Sequence, residues 1–137
     1  FIAKWPGRIA ANEQTRATIN FTDLFATVAA LLNVDPAKRY PDSATDSHSF
    51  LSVLLDPSQA YRRPGLMFNR GGVRDGDWKL VSKTRVRNMA TVKPTQSQLF
   101  NLSDDLSEKH DLSKAHPERA ERLFAEFKKF ADERELK

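Results

Sequence analysis

The chain has 137 residues, 39% hydrophobic and 29% charged, enough for one domain of ordinary size with a real core. It contains no cysteine, so disulfides, thiolate metal sites and cysteine nucleophiles are excluded within these residues. The net charge of +4 permits a polyanionic partner without demanding one, and no apolar run is long enough to span a membrane.

Phe1-Ile2-Ala3-Lys4-Trp5 predicts a strand ended by Pro6-Gly7. Its apolar opening, with no polar lead-in, reads as the interior of a longer sequence rather than a native start. Thr22-Asp23 supplies a hydroxyl and a carboxylate suited to capping free backbone N–H groups. Leu24, Phe25, Val28, Leu31 and Leu32 follow at helical spacing and predict a helix buried on one side. Asn33 suits its C-terminal cap, and Pro36 confirms the stop. After a loop rich in Pro, Asp and Ser, Ser49 to Leu55 reads as a short helix closed by Asp56-Pro57. The chain turns again around Tyr61 to Gly65, and Leu66-Met67-Phe68 predicts a strand.

Gly71 to Val81 reads as two short strands joined by a tight turn at Asp75-Gly76, residues that tolerate φ > 0. Trp78, Leu80 and Val81 are its apolar positions, with Asp77 and Lys79 facing solvent. The Gly71-Gly72 pair points to a bulge or to closely packed backbone. Ser82 to Ser97 is polar, basic and weakly patterned, and Leu99 to Leu102 gives a further strand. A final helix is expected from about His116-Pro117-Glu118, with proline at a position where a missing N–H costs nothing. Ala120, Leu123, Phe124, Phe127, Phe130 and Ala131 form its apolar stripe, opposite Glu121, Arg122, Glu126, Lys128, Lys129 and Glu133. This helix is expected to pack on the small sheet.

The order of these segments resembles the sulfatase family of the alkaline-phosphatase-like superfamily. Phe1 to Ile9 is similar to that family's P-F-I-x-R-W-P-G-x-I segment, and Thr22 to Val28 to its T-D-L-x-P-T-L helix, with Ala26 at the proline position. Asp46-Ser47-His48-Ser49-Phe50-Leu51 resembles D-G-x-S-L-L, with Ser47 replacing the glycine. The hairpin resembles A-x-R-x-G-D-W-K-L-I through Arg74, Gly76, Trp78, Lys79 and Leu80. Gln98 to Leu102, with Asp105, Glu108 and Asp111-Leu112, resembles E-L-Y-D-L-x-x-D-P-x-E-x-x-N-L. There Leu106 stands where proline is common and Asp111 where asparagine is.

The resemblance covers the C-terminal part of a sulfatase only. It implies an α/β end of the large domain over residues 1–60. A small α+β subdomain of antiparallel strands and a terminal helix follows over residues 61–137. It also implies a parent enzyme hydrolysing sulfate esters of a small molecule or sugar with formylglycine and calcium, and a periplasmic or secreted location. In that chemistry a hydrated aldehyde attacks sulfur while a cation and basic residues stabilise charge on the sulfate oxygens. The C/S-x-P-x-R motif and the calcium ligands belong to the preceding catalytic part, the implied partner of this portion. No metal or catalytic residue is therefore assigned here.

Asp46, Asp75, Asp77, Asp104 and Asp105 read as turn and cap residues. His48, at the D-G-x-S-like turn, is a candidate substrate contact at the pocket rim, although a capping or surface role is its plainer reading. Asn69 and Arg70, just before the tryptophan hairpin, are candidates for the non-sulfate part of a substrate, because the planar guanidinium suits anionic oxygens. A solvated loop is their plainer reading. His110 and His116 read as exposed or capping, and scattered histidines make zinc improbable. The basic stretch Lys83 to Lys93 lacks interleaved aromatics and any nucleic-acid motif. It leaves one competing reading, a free-standing, non-catalytic polyanion-binding α+β module.

Overall fold

A computed structural model describes residues 1–68, 71–82 and 96–135, with the side chains of the last helix described through Lys129. These residues form two compact units, Phe1–Pro64 and Gly65–Lys137.

The second unit is a four-stranded antiparallel sheet carrying a helix. Strands β1 (Leu66–Phe68), β2 (Gly72–Asp75), β3 (Trp78–Ser82) and β4 (Ser97–Asn101) lie in chain order across the sheet. The register sets Met67 opposite Val73, Val73 opposite Leu80, and Leu80 opposite Leu99, so one row of apolar side chains crosses all strands on one face. The C-terminal helix (Pro117–Glu135), numbered with the other helices below, lays Ala120, Leu123, Phe124 and Phe127 on that row. Their i, i+3, i+4, i+7 spacing is the stripe expected from the sequence, and its burial against Val73, Leu80 and Leu99 makes the core. Each buried side chain of this kind contributes about 1.5–3 kcal/mol. Pro117 opens the helix, as its missing N–H predicts.

The hairpin turn sits one residue later than the sequence suggests. Asp75 pairs with Trp78, leaving Gly76 and Asp77 as the loop. Gly76 has φ +59° and Asp77 does not join it in the left-handed region, the pattern of a turn with glycine at the first loop position. The physical reason is the core: this register puts Val73 rather than Gly71 opposite Leu80. Asp75 consequently stays in the strand, buried, where Arg122 Nη2 of the terminal helix donates to its Oδ2 at 3.0 Å. Gly72 is the closely packed glycine, since a Cβ there would lie 2.6 Å from the Leu80 carbonyl oxygen and 2.6 Å from the Phe68 ring. Beyond β4 the chain returns to the same edge. The Leu99 N–H donates to Asp111 Oδ1 at 3.1 Å, and the Leu112 N–H donates to the Leu99 carbonyl at 2.8 Å.

The first unit holds α1 (Asp23–Leu31), α2 (Pro36–Arg39) and α3 (Leu51–Leu55), so the terminal helix is α4. Two expectations are corrected here. Phe1 to Trp5 is irregular rather than a strand, and the Trp5 carbonyl accepts the Arg8 and Ile9 amides in a turn. A strand needs a ladder, and among the described residues this unit offers no strand to pair with. The second correction concerns α1, whose buried positions are Asp23, Thr27 and Ala29, while Phe25, Val28, Leu31 and Leu32 stand exposed. Its end is as expected: Asn33, at φ +54°, takes the left-handed position. The Asn33 N–H donates to the Ala30 carbonyl and the Val34 N–H to the Ala29 carbonyl. Among the described residues no helix is long and apolar enough to cross a membrane.

Candidate functional site

The segment Asp46–Phe50, which carries His48, is held by α1 and by Arg63. Asp23 and Thr27 lie four residues apart and so share one side of the helix. Thr27 Oγ1 donates to the Asp23 carbonyl at 2.7 Å and accepts the Phe50 amide at 3.1 Å. The Asp23 carboxylate accepts the His48 amide at 3.0 Å, the Asn20 amide at 2.7 Å, and Arg63 through Nε at 2.8 Å and Nη2 at 3.0 Å. Arg63 Nη2 also donates to the Asp46 carbonyl at 2.8 Å. The expected Thr22 side-chain cap is absent. Instead Ser47 Oγ accepts the Ala26 amide at 2.9 Å and donates to the Thr22 carbonyl at 2.8 Å, stitching the turn into the first turn of α1. From the other side the Tyr61 hydroxyl reaches the His48 carbonyl at 3.5 Å.

The electrostatics follow from this geometry. Burial pushes the Asp23 carboxyl up, but the Arg63 hydrogen bonds, the His48 and Asn20 amides and the Arg63 charge together hold it below its ordinary value. Burial raises the Tyr61 hydroxyl, with the nearby Asp23 charge acting in the same sense. The pair is bidentate and almost fully buried, a geometry that fixes orientation as well as charge.

His48 is thus half-buried, with both backbone groups engaged and its position fixed by groups far away in sequence. Asn69 and Arg70, the other candidate contacts, lie outside the described residues, as does the basic stretch Lys83 to Lys93. The described residues therefore give only His48 a defined setting. Sequence pattern does not mark Asp23 and Arg63 as the pair that holds this turn. A carboxylate at the first position of a helix reads as a cap, and nothing local marks Arg63 as its partner 40 residues away.

In the second unit, the remaining polar groups act as ties. Arg119 lies over the Trp78 indole at 4.4 Å and His116 meets it edge-on at 5.2 Å. Lys79 pairs with Glu108 and sits 4.8 Å from the Phe68 ring centre. Asp105 accepts the His110 and Lys109 amides at 2.7 Å each, hydrogen bonds that outweigh partial desolvation and hold its carboxyl below the ordinary range. Among the described residues no three His, Asp or Glu side chains converge in a way that could hold a metal ion.

No family model matches the chain. An N-acetylgalactosamine-6-O-sulfatase of Bacteroides thetaiotaomicron is 32% identical over 127 residues, spanning 86% of this chain and 24% of that protein. Arylsulfatase G of Rattus norvegicus is 28% identical over 139 residues, spanning 89% of this chain and 26% of its own length. A solved structure described under the metabolism of multiple glycosaminoglycans by Bacteroides thetaiotaomicron superposes with a TM-score of 0.58 at 28% identity, over 80% of this chain and 24% of that one. The crystal structure of Ps i-CgsB shares the fold with a TM-score of 0.64 at 22% identity, over 93% of this chain and 27% of its own. The chain thus spans about a quarter of the length of the curated relatives it matches. By sequence and by fold, it is homologous to the C-terminal region of the sulfatase family.

Proposed function

We propose that these residues are the C-terminal part of an enzyme that hydrolyses sulfate esters, giving it structure and one side of its substrate cleft. The observation that carries this reading is the match of most of this chain to the C-terminal quarter of an N-acetylgalactosamine-6-O-sulfatase. That relative supports a sulfated sugar as the substrate class, taken up by the full-length enzyme. Among the described residues no group of side chains fits calcium. The chain includes no cysteine and no C/S-x-P-x-R sequence. Nucleophile and cation are therefore assigned to the preceding part of the protein, and an exported or lumenal location goes with the same reading.

The role left to this portion is positioning. The 46–50 turn is tied down at its backbone, which leaves the His48 imidazole as the group available to a sugar or sulfate oxygen at the rim. Sequencing the gene upstream of Phe1 tests the proposal, followed by sulfate release from an aryl sulfate by the full-length product. A C/S-x-P-x-R motif and turnover are expected. A reading frame that starts near Phe1 would leave the family relation as ancestry alone. Clear turnover by the isolated 137 residues would overturn the assignment of catalysis to the preceding part.

A further inference from the structure

The hydroxyl of Ser47 stands at the first regular hydrogen bond of α1. In an α-helix the Ala26 N–H donates to the carbonyl four residues back, which is that of Thr22. Here the Ala26 N–H donates to Ser47 Oγ at 2.9 Å, and that hydroxyl donates onward to the Thr22 carbonyl at 2.8 Å. One side chain thus serves a backbone donor and a backbone acceptor that lie 21 and 25 residues away. Both positions depart from the sulfatase pattern, which has proline where Ala26 stands and glycine where Ser47 stands. Proline has no N–H to donate and glycine no side chain to receive one, so the two departures supply the two halves of one hydrogen bond. The backbone at Ser47 does not itself call for glycine, since its φ is not positive.

We propose that Ser47, through Ala26, is a positioning residue for substrate binding: its hydroxyl orients the turn that carries His48, and so sets where the imidazole meets the substrate. The inference rests on the reading of His48 as a rim contact given above. The His48 amide is held by the Asp23 carboxylate and its carbonyl by the Tyr61 hydroxyl. Ser47 adds a second tie to α1 one residue earlier in the turn. Asp23 and Ala26 are three residues apart, so both ties land on one side of the helix. A single tie fixes where a residue sits, whereas two ties to the same helix also remove rotation about the first. Orientation is what a rim side chain needs in order to meet a ligand oxygen at hydrogen-bond distance.

Kinetics of the full-length enzyme on an aryl sulfate, read beside urea midpoints, test the proposal. Ser47→Gly orphans the Ala26 N–H, so it is expected to lower the midpoint and to raise KM by roughly 5-fold, the scale of one hydrogen bond. The double variant Ala26→Pro/Ser47→Gly removes donor and acceptor together. It is expected to recover most of the midpoint while KM stays raised and kcat does not fall with it, a split that a purely structural stitch does not produce. Ser47→Thr keeps a hydroxyl and is expected to hold KM near that of the parent. His48→Ala separates the two readings. If it leaves KM unchanged, His48 leaves the site and this inference falls with it. If it raises KM while the double variant shows the parent's KM, the positioning role is overturned and the rim contact stands. If the proline variant does not fold, Ser47→Ala takes its place below its unfolding range, where a KM equal to the parent's overturns the role.

Discussion

The Asp23 carboxylate accepts four hydrogen bonds from three residues, and two of them come from a guanidinium that is itself buried. Removing one member of such a pair leaves an uncompensated charge in the interior, which costs about 3–5 kcal/mol. Asp23→Ala is accordingly expected to unfold the first unit at much lower urea, and Arg63→Met likewise. The acid limb has a definite sign. The folded carboxyl lies below the ordinary 3.8, so its contribution is present above that value and is lost as pH falls through the lower folded value. Urea midpoints measured from pH 6 down to about pH 2 should fall in acid, and Asp23→Asn should flatten part of that fall. An unchanged acid limb in that variant would mean that the pair is not what titrates. Ser47→Ala removes the hydroxyl bridge between Ala26 and Thr22 and should cost about 1 kcal/mol, close to a lost helix cap. For the proposed substrate contacts, Asn69→Ala and Arg70→Ala in the full-length enzyme are expected to raise KM. Steady-state kinetics that match the parent enzyme would remove both from the site.

At the scale of elements, the sheet and α4 follow from alternation in the strands and a helical stripe, and each recruits the other's apolar face. The tightest constraint is Gly72, wedged between the Leu80 carbonyl and the Phe68 ring. Gly72→Ala should destabilise the second unit by about 1–3 kcal/mol, because a carbonyl inside a ladder cannot move aside as a side-chain end can. Thermal unfolding followed by tryptophan fluorescence checks this, with Trp78 as the reporter in the sheet. A shift within error would show that the Phe68 ring swings away and the strand gives. Helix α1 is the opposite case. Its periodicity was legible, but which side is buried was not, because its apolar stripe and its polar pair both repeat at helical spacing. Only the contacts of Asp23 and Thr27 with residues 46 to 50 decide it.

At the scale of the whole molecule, the two units share one chain but differ in how far they complete themselves. The second closes a core between sheet and helix that holds seven buried residues among those described. The first keeps the apolar stripe of α1 outside and buries the Asp23–Arg63 ion pair instead. Amino-acid order alone determined the strands of the second unit, the existence of the hairpin, the start of the terminal helix and the family, because each rests on local patterning: alternation, glycine and proline. The tertiary structure decided the rest. The hairpin register is set by which residue must oppose Leu80 in the core. Phe1 to Trp5 is not a strand because a strand exists only with a partner. The roles of Asp23, Arg63 and Ser47 arise from bonds across 21 to 40 residues, distances over which local pattern carries no information.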